Sequence, residues 1–214
     1  MSRLRAQLAR VPGLAVGDQP GWSRSAATGA RQSAVLLLFS DGQDGSGPDV
    51  LLTERARTLR SHAGQVSFPG GGIDPGDDGP VGAALREARE ETGVDPAGVD
   101  VLGVLPAMFL PPSHYVVTPV LAWWSVPSSV GPVDSAEVAS VVRAPLAELA
   151  DPANRVQARH PSGLVGPAFR VQGLYVWGFT AGLLARVLHL AGIELPWDAS
   201  PTEDLPDDVM SLLQ

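Results

Sequence analysis

Apolar residues run along this chain in short blocks, separated by stretches of glycine, proline and acid, and the period changes from block to block. Leu4, Leu8 and Val11 fall at helical spacing among Arg3, Arg5 and Arg10, which predicts a short amphipathic helix over residues 2 to 11. Residues 12 to 32, with their Gly, Pro, Ser and Asp, read as an irregular linker. Ala34 to Phe39 has the length and character of a buried strand, Asp41 to Pro48 reads as a turn, and Val50 to Thr53 as a second strand closing a hairpin. Gln65 to Phe68 is a short strand that feeds a glycine turn. A helix follows, with Pro80 at its start, where the missing N–H costs nothing, and Gly93 at its end.

Beyond that helix, Val101 to Phe109 and Tyr115 to Trp124 are β-rich runs flanking Leu110-Pro111-Pro112-Ser113-His114. Val138 to Val142 and Ala168 to Val171 are further strands, Pro145 to Leu149 is a helical turn, and Val176 to Ile193 reads as a helix buried on several faces. Pro196 to Asp208 is Pro-rich and acidic, which predicts a loosely packed extension before a small apolar end at Val209 to Leu213. Strands interspersed with two long helices point to an α/β sandwich, and there is no internal repeat.

Composition narrows the chemistry. At 214 residues and 44% hydrophobic content the chain can bury a sizeable core. It has no cysteine, so disulfides, thiolate zinc sites and a cysteine nucleophile are excluded. All 15 basic residues are arginine, which excludes a Schiff-base or P-loop lysine. A net charge of -8 argues against nonspecific nucleic-acid binding. Arg55, Arg57, Arg60 and His62 reverse that field locally, whereas Asp198, Glu203, Asp204, Asp207 and Asp208 gather near the C-terminus. No signal-type core opens the chain, and the apolar stretch Leu174 to Ala185 is too short to span a bilayer, so a soluble, cytoplasmic protein is expected.

The most informative segment is Gly71 to Val94. On its helix Glu87 and Glu91 stand at i and i+4, with Glu90 at i+3, so three carboxylates share one face beside Arg86. Like charges at that spacing repel, and clustered oxygen ligands suit a hard cation, Mg2+ or Mn2+. An ordinary charged surface helix is the bland alternative.

The same residues resemble the Nudix box, Gly, five residues, Glu, seven residues, then Arg-Glu-aliphatic-x-Glu-Glu-x-Gly-aliphatic. Arg86-Glu87-Ala88-Arg89-Glu90-Glu91-Thr92-Gly93-Val94 fits the second half. The first half departs: counting back from Arg86 gives Gly72 and Asp78, whereas anchoring on Phe68-Pro69-Gly70-Gly71 gives Gly71 and Asp77 with one residue inserted before the helix. Either way an Asp replaces the first Glu, at the position least involved in metal binding in the family. Upstream, Leu51-Leu52-Thr53-Glu54-Arg55-Ala56, Arg60, Gly64 and Phe68-Pro69-Gly70-Gly71 resemble the signature of the coenzyme A pyrophosphatase branch. Weaker similarity runs through Tyr115 to Pro119, Glu137-Val138, Pro145-Leu146 and Trp177-Gly178.

The resemblance implies a Nudix-type α/β/α sandwich with a mixed β-sheet between helices over residues 33 to 195, after an N-terminal helix and linker (1 to 32) and before an acidic tail (196 to 214). It implies a Mg2+- or Mn2+-dependent pyrophosphohydrolase in which water attacks phosphorus. Glu87, Glu90, Glu91 and a backbone carbonyl near Gly71 would be the metal ligands, with Arg86 orienting the carboxylates. Glu90 and Glu137 are the alternative bases. Arg55, Arg60 and Phe68 are the candidate substrate contacts, the arginines reading a phosphate of coenzyme A or else forming structural salt bridges. ADP-ribose, NADH or a dinucleotide polyphosphate are the other substrates to weigh, and a non-catalytic Nudix-fold binding module is the alternative of a different class. The partner expected is a small molecule, with neither nucleic acid nor membrane, and the resemblance allows a homodimer through the N-terminal or the long apolar C-terminal helix.

Overall fold

The computed structural model describes residues 2–14, 29–43, 45–59, 61–111 and 113–212. Arg60, and most of the expected linker, lie outside them. In chain order the elements are α1 (Arg3–Leu8), β1 (Arg31–Ser40), β2 (Asp49–Arg55), β3 (Val66–Ser67), β4 (Gly70–Gly72), α2 (Gly79–Thr92), β5 (Val99–Val104), β6 (Met108–Leu110) and β7 (Tyr115–Trp124). The second half adds β8 (Val138–Pro145), α3 (Leu146–Ala150), β9 (Arg155–Arg159), β10 (Val165–Val171), β11 (Leu174–Val176), α4 (Gly178–Leu190), β12 (Thr202–Asp204) and α5 (Asp207–Met210). These form an α/β fold of sheets flanked by helices, as the sandwich expectation requires. The chain divides into two compact units, residues 1–40 with 68–131, and residues 41–67 with 132–214.

The first unit is built on a parallel pair. β1 and β7 run side by side from Arg31 opposite Tyr115 to Phe39 opposite Trp123. Their near-continuous burial, Leu36 to Phe39 and Val120 to Trp124, is what strands covered on both faces need. β4 pairs antiparallel with β1, while β5 and β6 pair antiparallel with β7, so the sheet is mixed. The apolar run Val101 to Phe109 is two strands rather than one, because Leu105, Pro106 and Ala107 interrupt it. The amphipathic N-terminal helix is present, with Leu4 and Leu8 buried, Ser2 capping it, and Arg5 paired to Asp100 at 2.7 Å.

In the second unit β2 pairs antiparallel with β3 and β8, with a bulge between Glu54 and Arg55. A separate four-stranded sheet has the order β11-β10-β9-β12, and α4 packs against β10. Here the acidic tail corrects the sequence expectation. Instead of a loose extension it supplies β12, which runs parallel to β9 from Thr202 opposite Gln157 to Asp204 opposite Arg159, and Leu205 is 4% exposed. Trp197 anchors the tail over Arg155, whose guanidinium lies 4.5 Å from that ring and 2.8 Å from Glu194. Strand β9 gave no apolar signal because its two buried positions, on opposite faces, are Arg155 and Ala158, an enclosed ion-pair partner and a small residue.

Candidate functional site

Two of the three glycines of strand β4, Gly70 and Gly71, have neighbours that come too close for a side chain. A Cβ at Gly70 would lie 2.7 Å from the Cα of Val35, and one at Gly71 would lie 2.5 Å from the carboxylate carbon of Glu87. The helix that brings Glu87 there also approaches closely, since its buried residues include Ala83, Ala84 and Ala88. Pro80 opens this helix, and Gly93 closes it in the left-handed conformation (φ 75°), its N–H donating to the Arg89 carbonyl. The small Ala88 at the usual aliphatic position therefore serves the short helix-to-strand distance.

Glu91 is buried, 6% exposed, and accepts a hydrogen bond of 3.0 Å from the Gly70 N–H. The Glu87 side chain is partly enclosed at 18% exposure, while that of Glu90 is 58% exposed. Arg86 holds the group together. Its Nε and Nη2 donate to the two oxygens of Asp77 at 2.9 and 3.0 Å, Nη1 donates to Glu87 and Glu90 at 3.0 Å each, and Nη2 also donates to the Gly72 carbonyl. Asp77 is fixed in turn by the Asp74 N–H at 2.8 Å. The hydrogen bonds from Arg86, and then that from Asp74, hold the Asp77 carboxyl below its ordinary range, and the Asp77 carboxylate raises Arg86 well above its own.

This geometry settles which half-box applies. Asp77 grips Arg86 and Gly71 faces Glu87, whereas Asp78 sits at the helix N-cap without a side-chain capping bond. The extra residue therefore lies between Asp77 and Arg86. Spacing counted back from Arg86 pointed to Asp78, and the signal for Asp77 was the Phe68-Pro69-Gly70-Gly71 anchor.

Among the described residues no three His, Asp or Glu side chains form a ready-made metal-ligand group. The donor chemistry nonetheless fits a hard cation: a buried carboxylate, a second one turned toward Gly71 of β4, and carbonyls of that strand. Gly71→Ala tests the fit. Its Cβ collides with the movable end of Glu87 rather than with backbone, so the fold is expected to stay within a few degrees of its melting temperature. Mn2+ affinity, read by isothermal titration, is expected to fall about 10- to 100-fold.

The other expected site residues belong to the second unit or to the core. Arg55 ends β2 at the bulge, makes no ion pair among the described residues, and has its Nε enclosed without a hydrogen bond. Glu137 is exposed in the turn before β8, where its carbonyl accepts from the Ala56 N–H at 2.8 Å. Phe68 is 2% exposed, so its side chain packs in the core. The structure thus gathers Arg86, Glu87, Glu90, Glu91 and Gly71 with Asp77 in one unit, and sets Arg55 beside the Glu137 turn in the other.

Family comparison agrees with the box. The NUDIX domain family matches residues 30–162. The chain belongs to the Nudix family. The uncharacterized Nudix hydrolase NudL of Cronobacter sakazakii is 42% identical over 178 residues, spanning 79% of this chain and 86% of its own length. The protein of the same name from Escherichia coli is 37% identical over 172 residues, with shares of 77% and 84%. Among solved structures, a MutT/nudix family protein from Enterococcus faecalis aligns with 87% of this chain and 73% of its own, at 12% identity and a TM-score of 0.48. The NUDIX domain of Shewanella oneidensis NrtR, complexed with ADP ribose, aligns with 63% and 82% at 21% identity and a TM-score of 0.44. No helix among the described residues of this Nudix protein is long and apolar enough to cross a membrane.

Proposed function

We propose that this Nudix hydrolase cleaves the diphosphate of coenzyme A or its thioesters, releasing 3′,5′-ADP and 4′-phosphopantetheine or its acyl form. Arg55 carries the reading: it stands in the segment that resembles the coenzyme A branch signature, with no ion pair among the described residues and an enclosed, unpartnered Nε. That favours a guanidinium held for a phosphate over a structural salt bridge. Arg60, outside the described residues, would join it, and Phe68 would contribute backbone only.

A bound Mg2+ or Mn2+ supplies Lewis-acid charge and lowers the pKa of the attacking water. Glu87, Glu91 and the Gly71 carbonyl would hold it, with exposed Glu90 as a further ligand. Arg86 fixes the carboxylates in position. Water oxygen bonds to phosphorus as the anhydride P–O bond breaks, the leaving phosphate keeps the electron pair, and Glu90 or Glu137 accepts the water proton. An intact carboxylate set disfavours a purely binding module.

The test incubates purified protein with Mn2+ and a panel of coenzyme A, dephospho-coenzyme A, ADP-ribose, NADH and a dinucleotide polyphosphate. Release of 3′,5′-ADP from coenzyme A with the highest kcat/KM is the expected result. Arg55→Gln should raise KM for coenzyme A about tenfold while leaving dephospho-coenzyme A unaffected. Preferential cleavage of ADP-ribose or NADH would discard the coenzyme A reading and keep the chemistry. No hydrolysis across the panel would favour the binding module.

A further inference from the structure

The arginine-bearing loop after β2 and the C-terminal segment meet within the second unit. The loop returns on itself through two left-handed residues, His62 (φ 56°) and Gly64 (φ 64°), and is closed by hydrogen bonds from the Gly64 N–H to the Arg55 carbonyl and from the Arg55 N–H to Gln65. A Cβ at Gly64 would collide with Cδ1 of Leu212, the movable end of that side chain, and would lie 3.5 Å from Cγ of Arg57, so these two side chains flank the glycine. Arg57 is 63% exposed at its side chain and reaches only as close as 3.9 Å to Glu54, so this surface pair adds little to the hydrogen bonds that close the loop.

The segment that delivers Leu212 is, by contrast, well tied down. Strand β12 is hydrogen-bonded to β9, and Glu203 bonds Arg170 and the Tyr175 hydroxyl. Burial, then the Glu203 charge, pushes Tyr175 up to about 12, so its hydroxyl remains a donor at physiological pH. Leu205 joins Ala158 and Ala168 in a buried cluster, with Val209 and Met210 of α5 packed against it. The Leu212 N–H bonds the Val209 carbonyl, carrying the helical turn to the contact.

We infer that Thr202 to Leu212 is a strap whose end, Leu212, holds the arginine loop in the shape that reads a substrate phosphate. The acidic C-terminal segment is then a positioning element for substrate binding. This rests on the proposed role of Arg55, so its test includes a readout independent of activity. Because the chain has no lysine, trypsin cuts only after arginine, and cleavage after Arg57 reports loop opening directly.

Leu212→Ser is expected to speed tryptic cleavage after Arg57 about tenfold and to raise KM for coenzyme A by roughly the same factor, with kcat within twofold. Leu212→Met, which keeps the contact, should restore both, and Mn2+ affinity should be unchanged in either variant. Cleavage at the wild-type rate in Leu212→Ser would overturn the strap. Faster cleavage with unaltered KM would equally overturn its role in substrate binding. A wild-type protein inactive on coenzyme A would remove the substrate reading alone, since proteolysis still decides whether Leu212 holds the loop.

Discussion

Glu91→Gln is expected to abolish metal-dependent hydrolysis, by about 10³-fold in kcat/KM, in a protein that melts no lower than the parent. The two halves of that outcome come from the same geometry. Glutamine keeps an oxygen that can accept the 3.0 Å hydrogen bond from the Gly70 N–H, so the join between α2 and β4 survives. What disappears is a negative charge buried at 6% exposure, and removing such a charge relieves desolvation as well as repulsion from neighbouring carboxylates. A hard cation, by contrast, needs the full carboxylate charge. The loss of several kcal/mol of Lewis-acid stabilisation corresponds to that rate factor. Melting curves with and without Mn2+, beside initial rates, check it. Undiminished activity would remove Glu91 from the metal set; a large fall in melting temperature without metal would make its role structural.

Much of this was legible before the structure. The carboxylate face of α2, its Pro80 start and Gly93 stop follow from local spacing and backbone chemistry, which tertiary context rarely overrides in so strongly marked a segment. The strands β1 and β7 announced themselves through unbroken apolar runs. Two things were not legible. The choice between Asp77 and Asp78 depends on how a loop of Pro, Gly and Asp turns, and only the bidentate contact to Arg86 decides it. The packed tail was hidden because its interactions are long-range and polar: Glu203 with Arg170, and Glu194 with Arg155, tie it to strands that the apolar pattern did not reveal. An acidic, proline-rich composition says little about order when the complementary arginines lie thirty or more positions earlier in the chain.

Arg86→Ala should be the more damaging substitution for the fold itself. It leaves Asp77, whose side chain is 7% exposed, together with Glu87 and Glu90, without the guanidinium that pairs all three, and frees the Gly72 carbonyl. A destabilisation of about 2 kcal/mol is expected, set below the cost of breaking a fully buried pair because the arginine side chain is 28% exposed. Activity should fall about 100-fold through misplaced ligands. Arg86→Lys should recover only a part of either, since one ammonium cannot span Asp77, Glu87 and Glu90 as the fork does. The linkage to pH has a definite sign. Asp77 is depressed in the folded state, so its contribution is fully present above the unfolded value of 3.8 and is lost as pH falls through the lower folded value. Arg86 is raised, so its contribution is complete below the ordinary arginine range and lost only at more alkaline pH. The bridge is therefore silent near neutrality and should appear as an acid limb below about pH 4, present in the parent and reduced in Arg86→Ala. Equilibrium urea denaturation from pH 2 to 7 reads this limb directly. Parallel curves for the two proteins would mean that Asp77 draws its stabilisation from its Asp74 contact instead of from Arg86.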